Sequence, residues 1–151
     1  MIVCMYPYIY LHDSVIEKIE YDEKNSSITI FCEDENGFKV KKDGKGYRAK
    51  NASIEIILAE ETDIDYEFVS MVRYIPVFRK WALTRYKEMT LRDFIKKINS
   101  KKIQAEIVDE FYNGYSVYYK VSTGLRKKCS FTISYKDIRY LYDGIQNESL
   151  K

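Results

Sequence analysis

The stretch "KKIQAEIVDEFYNGYSVYYKVST", Lys101–Thr123, holds two runs of alternating apolar and polar residues on either side of Asn113-Gly114. That arrangement is a strong local signal for a β-hairpin. A two-residue loop would pair Tyr112 with Tyr115 and place Ile103, Ala105, Ile107 and Phe111 on the face of Ser116, Tyr118 and Lys120, so the apolar sides disagree. A three-residue loop over 113–115 pairs Tyr112 with Ser116 and gathers Ile107 and Phe111 with Val117, Tyr119 and Val121. A one-residue slip turns every side chain over, so the longer loop is predicted, accompanied by a bulge.

Working outward, "CSFTISY" reads as a strand with Cys129, Phe131, Ile133 and Tyr135 on one face, and Ser134 and Asp137 can cap a last helical turn through "KDIRYLY". Just before the hairpin, "TLRDFIKKINS" carries Leu91, Phe94, Ile95 and Ile98 at i, i+3, i+4 and i+7, with Thr90 as N-cap and Asp93 in the first turn. This spacing predicts an amphipathic helix over about 90–100, laid on a sheet. Near the start, "SVIEKIEYD" and "SSITIFCED" flank the turn-like "EKNS" and form another hairpin, followed by short strands punctuated by Gly37, Gly44 and Gly46. In "NASIEIILAEE", Ile54, Ile56 and Leu58 lie on one side and Ile57 and Ala59 on the other, which predicts a strand buried on both faces. Residues 60–89 read as two strands, with a short helix ending before Pro76 as the alternative.

The 151 residues suit one domain, 46% hydrophobic and 32% charged, with two prolines. Three widely spaced cysteines, without a Cys-x-x-Cys pair and with a single histidine, argue against a zinc site or a disulfide framework. The opening "MIVCMYPYIYL" lacks a basic lead-in and a small-residue cleavage site and is too short to span a bilayer, so a cytoplasmic protein without membrane association is expected. Net charge is +2, yet residues 1–70 hold 8 Lys+Arg against 15 Asp+Glu, whereas residues 71–151 hold 17 against 8. The chain is acidic in its first half and basic in its second.

Several constellations invite a chemical reading. His12-Asp13-Ser14 contains the residue types of a hydrolytic triad, but consecutive residues on an extended chain point to alternating faces and cannot serve one another. The triplet is read as a bend at a strand entrance, with Asp13 or Ser14 bonding nearby backbone. Asp63, Asp65 and Glu67 alternate and would share one face of a strand, as an acidic rim rather than a calcium loop or an acid–base pair. Between Arg73 and Lys102 ten cations, including Arg79, Arg85, Lys96 and Lys97, interleave with Tyr74, Phe78, Trp81 and Tyr86. Cations for phosphate and rings for stacking are the ingredients of a nucleic-acid surface, although no named binding motif accompanies them. Phosphate-cradling glycine loops, a nucleophile elbow and HExxH are all absent from the sequence. No cofactor, metal ligand or catalytic residue is assigned.

"LHDSVIEKIEYDEKNSSITIFCED", residues 11–34, resembles the start of small bacterial proteins of the polymorphic-toxin immunity kind, in which a similar entrance leads into a hairpin. "MTLRDFIKKINSKKIQAEIVDEFYNGY", residues 89–115, resembles the helix-then-hairpin of the same proteins. The resemblance implies a non-catalytic module that binds and neutralises a partner protein such as a toxin. It transfers no functional residue, because such proteins recognise toxins through variable surfaces.

The expected fold is a single α+β domain over residues 1–144, mainly antiparallel β-sheet with one helix packed on it and a C-terminal helical turn, followed by a frayed tail over 145–151. The expected function is non-enzymatic protein binding through Asp63, Asp65, Glu67, Arg79, Trp81, Arg85, Tyr86, Lys96 and Lys97. The alternative is association with nucleic acid through residues 73–102.

Overall fold

The computed structural model describes residues 2–4, 9–77, 81–124 and 126–146. Among the described residues antiparallel strands dominate, accompanied by a single helix, as the alternation of side chains predicts. Seven strands precede residue 60: β1 (Ile2–Cys4), β2 (Ile9–Tyr10), β3 (Ser14–Asp22), β4 (Ser27–Cys32), β5 (Lys39–Lys42), β6 (Lys45–Lys50) and β7 (Ser53–Leu58). There follow β8 (Phe68–Val77), β9 (Trp81–Thr90), α1 (Leu91–Asn99), β10 (Ala105–Tyr112), β11 (Ser116–Ser122), β12 (Lys127–Tyr142) and β13 (Gly144–Gln146). Among the described residues no helix is long and apolar enough to cross a membrane.

Six strands close on themselves. β11, β10, β3, β4, β7 and β12 pair in that order, and β11 pairs β12 again to complete the circuit. Closure satisfies both edges of these strands and leaves an interior to be filled by side chains. Ile19, Ile28, Ile30, Ile54, Ile56, Ile107, Val117, Val121 and Ile133 fill it, each at most 1% exposed. A smaller sheet in the order β13-β6-β5-β2 packs against the barrel through Phe38, whose ring meets Tyr140 and Tyr142 edge-on at 6.0 and 6.2 Å. A Cβ at neighbouring Gly37 would lie 3.1 Å from the Ala49 carbonyl and 3.2 Å from the Ala52 Cβ, so this close approach favours glycine.

α1 follows its sequence signals closely. Thr90 caps it by accepting from the Asp93 N–H at 3.2 Å, and Leu91, Phe94, Ile95 and Ile98 are buried, with Phe94 5.4 Å from Phe131 ring to ring. The helix also repairs an incomplete seam. β3 pairs β10 only over Ser14–Ile16, and farther along β3 the Asn99 amide acts as a substitute strand. Its Oδ1 accepts from Ile19 N at 2.9 Å and its Nδ2 donates to Ile19 O at 2.8 Å, while Lys101 Nζ donates to Glu17 O at 2.6 Å.

Four expectations are corrected by these pairings. Residues 59–67 are turn and irregular chain rather than the continuation of a strand, because their backbone groups serve the helix: Leu91 N donates to Glu67 O at 2.7 Å and Arg92 N to Ile64 O at 3.3 Å. β7 is buried on one face only, since Glu55 and Ile57 are half-buried on the barrel exterior. The expected C-terminal helical turn is strand, because β12 runs unbroken over 16 residues and pairs β1, β7, β8 and β11. Of the expected tail, Ile145 and Gln146 belong to β13, which pairs β6, and residues 147–151 lie outside the described residues.

The β10–β11 hairpin keeps the expected pairing of Ile107 with Val121, and a bulge follows, but the turn end differs by one residue. Val108 is bulged out, so Tyr112 pairs with Val117 instead of Ser116. Phe111 therefore faces outward beside Tyr118 and is 57% exposed, while Glu110 and Tyr112 face the interior. Without the bulge, Asp109 and Phe111 would face inward. The loop is held by the Asn113 side chain, whose Oδ1 accepts from Tyr115 N at 3.0 Å and Ser116 N at 2.8 Å.

Candidate functional site

The β8–β9 hairpin projects from the barrel. Its two strands pair over ten positions, from Phe68↔Thr90 to Val77↔Trp81, whereas β8 pairs β12 only over Ser70–Arg73. The last tie to the barrel is Tyr74 N donating to Arg126 O at 2.8 Å. Beyond it, among the described residues, each strand of the hairpin has only the other.

Cations line up across its base. Arg85 pairs with Arg73, and Arg73 pairs with Lys127, so three positive residues occupy directly opposed positions on three neighbouring strands. Like charges placed opposite one another destabilise a sheet. Arg126 and Lys128 flank Lys127, and all three line a concavity of about 600 Å³ together with Val15, Gln104 and Glu106. Among the described residues Arg73, Lys87, Arg126, Lys127 and Lys128 form no ion pair. The one acid of β9, Glu88, is taken up by the Tyr86 hydroxyl, which also lies 3.1 Å from Ser70 Oγ. Tyr86 is 63% exposed and Tyr74 is exposed beside Arg73.

Some charges elsewhere are paired. Arg92 grips Asp65 through Nε at 2.5 Å and Nη2 at 3.1 Å, an attachment that holds the Asp65 carboxyl below its ordinary range. Arg139 bonds Asp137 at 2.9 Å and lies 3.6 Å from Glu55. The first half's acidity surfaces elsewhere, in a groove of about 1060 Å³ beside α1 that includes Glu20, Tyr21, Asp22, Glu23, Glu55 and Ile57.

The residues expected to bind a partner fall into separate groups. Asp63, Asp65 and Glu67 do not share a strand face. Asp63 Oδ1 accepts from Asp65 N at 2.9 Å within a turn, Asp65 holds Arg92, and Glu67 is half-buried with its carboxyl pushed upward by that burial. Lys96 is exposed on α1, and Lys97 is near enough to β12 to act, like Lys127, on the buried Cys129 thiol. Trp81, Arg85 and Tyr86 lie on β9, while Arg79 lies outside the described residues. The run Arg126-Lys127-Lys128 was not among the expected residues. Its signal is three adjacent cations in sequence, but only the register of β12 places them beside Arg73.

His12 forms the expected strand entrance. Its Nδ1 lies 2.8 Å from Val108 O and its Nε2 3.2 Å from Asp13 Oδ1, and Asp13 N donates to Ile107 O, so the turn fastens onto the β10 bulge. Ser14 is buried and its hydroxyl has no hydrogen-bond partner, whereas the imidazole is exposed, so the three do not form a triad.

Inside the barrel lies a polar cluster with no sequence motif behind it. Glu110 Oε1 accepts from the Tyr140 hydroxyl at 2.5 Å and from the Tyr112 hydroxyl, and the fully buried Tyr119 hydroxyl lies beside the same carboxyl without an aligned bond. As a residue Glu110 is half-buried, but its Oε2 is enclosed and unpartnered. Burial outweighs the Tyr112 and Tyr119 hydroxyls and pushes the carboxyl up to about 7. The nearby Cys32 thiol is pushed up to about 12, chiefly by burial, and is inert as a nucleophile. Among the described residues no group of three or more His, Cys, Asp and Glu is placed to hold a metal ion. Comparison with protein-family models, with curated proteins and with solved structures yields no match to this chain.

Proposed function

We propose that this chain is a non-enzymatic protein-binding module of the immunity kind, which docks and neutralises a partner protein, a toxin, through the basic base of the β8–β9 hairpin. The observation that carries the reading is the opposed row Arg85–Arg73–Lys127, in which Arg73 and Lys127 form no ion pair among the described residues. A repulsive row lowers the stability of the free protein and is relieved when acidic groups of a partner settle against it. The projecting hairpin adds reach and exposed rings, which are frequent anchors at protein interfaces.

Arg73→Glu combined with Lys127→Glu tests this. The expected result is that the double variant unfolds at the same or a higher temperature, yet no longer recovers the stoichiometric protein that the wild type retains from extracts of its native organism. Retention of that partner by the folded double variant would overturn the assignment.

Tyr74 and Tyr86 are exposed on the opposite face of the sheet from Arg73 and Lys127, the face of Lys128, and favour a second reading as a nucleic-acid surface. That reading requires a gel shift at low salt whose affinity falls linearly on a log–log plot against salt concentration. Absence of any shift at low salt removes it.

A further inference from the structure

The free edge of β9 continues the same surface, and its backbone has a definite polarity. Tyr74 N points toward β12, where it donates to Arg126 O. Backbone groups alternate sides along a strand, so the even-numbered residues of β8 face β12 and the odd-numbered ones face β9. Opposed residues in this hairpin share parity, which leaves the N–H and C=O groups of Ala82, Thr84, Tyr86 and Glu88 directed away from β8. Leu91 N donating to Glu67 O, both odd, agrees with this phase. Among the described residues no strand covers that edge, and the sheet order ends at β9.

The opposite edge of the hairpin is treated differently. Past Tyr74, β8 has no β12 partner, and the next residue whose N would face that open side is Pro76, which has no N–H to offer. The β8 edge is thus blunted by a proline in phase, while β9 from Trp81 to Thr90 contains none. Exposed edges are templates for strand addition unless blocked.

Charge selects the occupant. If two copies paired antiparallel about Tyr86, each Arg85 would stand opposite a Lys87, and like charges would face each other in a sheet that already carries Arg73 opposite Arg85. An extended acidic segment has the reverse effect. Resting on the protein-docking reading above, we propose that β9 accepts an extended, acidic segment of the partner as an added strand, through the outward backbone groups of Ala82, Thr84, Tyr86 and Glu88 and the cations beside them.

The probe is a capped seven-residue peptide alternating glutamate with valine, titrated against the full chain while amide exchange is followed. Binding is expected to slow exchange at Ala82, Thr84, Tyr86 and Glu88 at least tenfold. Tyr86→Pro, which removes an outward N–H, is expected to weaken binding at least tenfold. A peptide N-methylated at every residue, which needs no change to the protein, should not bind. Binding that survives both N-methylation and Tyr86→Pro would overturn strand addition while leaving the basic docking surface standing. No binding to the wild type would overturn the inference, and so would protection of the same amides by concentration-dependent dimerisation without peptide, which would assign the edge to a second copy.

Discussion

Glu110 places a carboxyl among the Tyr112, Tyr119 and Tyr140 hydroxyls inside a barrel otherwise filled by isoleucine and valine. Its pKa of about 7 lies above its ordinary value of 4.5, so the folded state retains a proton that the unfolded chain releases. The neutral carboxyl's contribution is complete below about pH 4.5 and is lost as pH rises through about 7, a span worth on the order of 3 kcal/mol at 1.36 kcal/mol per unit. Urea unfolding of the wild type should therefore lose on the order of 2 kcal/mol between pH 5 and pH 8, and Glu110→Gln should flatten most of that slope. An unchanged slope in the variant would place the titration elsewhere. Asn99 offers a second test at this scale. Asn99→Ala leaves the Ile19 N–H and C=O without their amide partner and should cost about 1–3 kcal/mol in a denaturant titration, with the helix retained by circular dichroism. Neither role was legible in sequence. An "E" between "D" and "F" looks like an exposed position of an alternating strand, and only the bulge at Val108 turns it inward.

Elements were legible where one rule acted alone. α1 declared itself by apolar spacing, N-cap and first-turn acid together, and the strands at 14–22 and 27–32 by alternation, whereas over 60–89 two strands competed with a short helix before Pro76 and only the pairing of β8 with β9 decides for strand. The failures share a cause, which is that tertiary partners outweighed local signals. Ser134 and Asp137 resemble helix caps, but β7 and β11 offered ladder bonds to both halves of β12. Asp63, Asp65 and Glu67 alternate as in a strand, yet their segment is bent to cap α1 and to hold Arg92. The bulge itself invites a measurement. Deleting Val108 removes the extra residue and keeps Asp109 opposite Lys120, Glu110 opposite Tyr119 and Phe111 opposite Tyr118, so Glu110 stays inward among its tyrosine hydroxyls and only the His12 contact to Val108 O is lost. Thermal denaturation should register a change of no more than about 1 kcal/mol, and a loss of several would show that the bulge does more than set the register.

At the scale of the molecule, the division of charge along the chain becomes a division in space. First-half acids Glu20, Asp22, Glu23 and Glu55 line the groove beside α1, while Arg73, Arg85, Arg126, Lys127 and Lys128 gather at the hairpin base. Sequence showed that the cations were numerous but not which of them share a face, because Arg73 and Lys127 become neighbours only through barrel register. Relief of repulsion makes a direct prediction. Raising salt from 50 to 500 mM should raise the melting temperature of the wild type more than that of Arg73→Gln, since screening acts on the opposed row. Equal salt responses would show that the row is already neutralised within the fold.

β12 is the keystone strand, in contact with β1, β7, β8 and β11, and it comes late in the chain. During synthesis, β3 and β4 can meet as a hairpin early, but the ring has no closing member until residue 142 clears the ribosome. Until then the nascent polypeptide exposes isoleucine-rich half-barrel to solvent, an invitation to chaperones and a window for misassembly that ends abruptly with the arrival of one sixteen-residue segment.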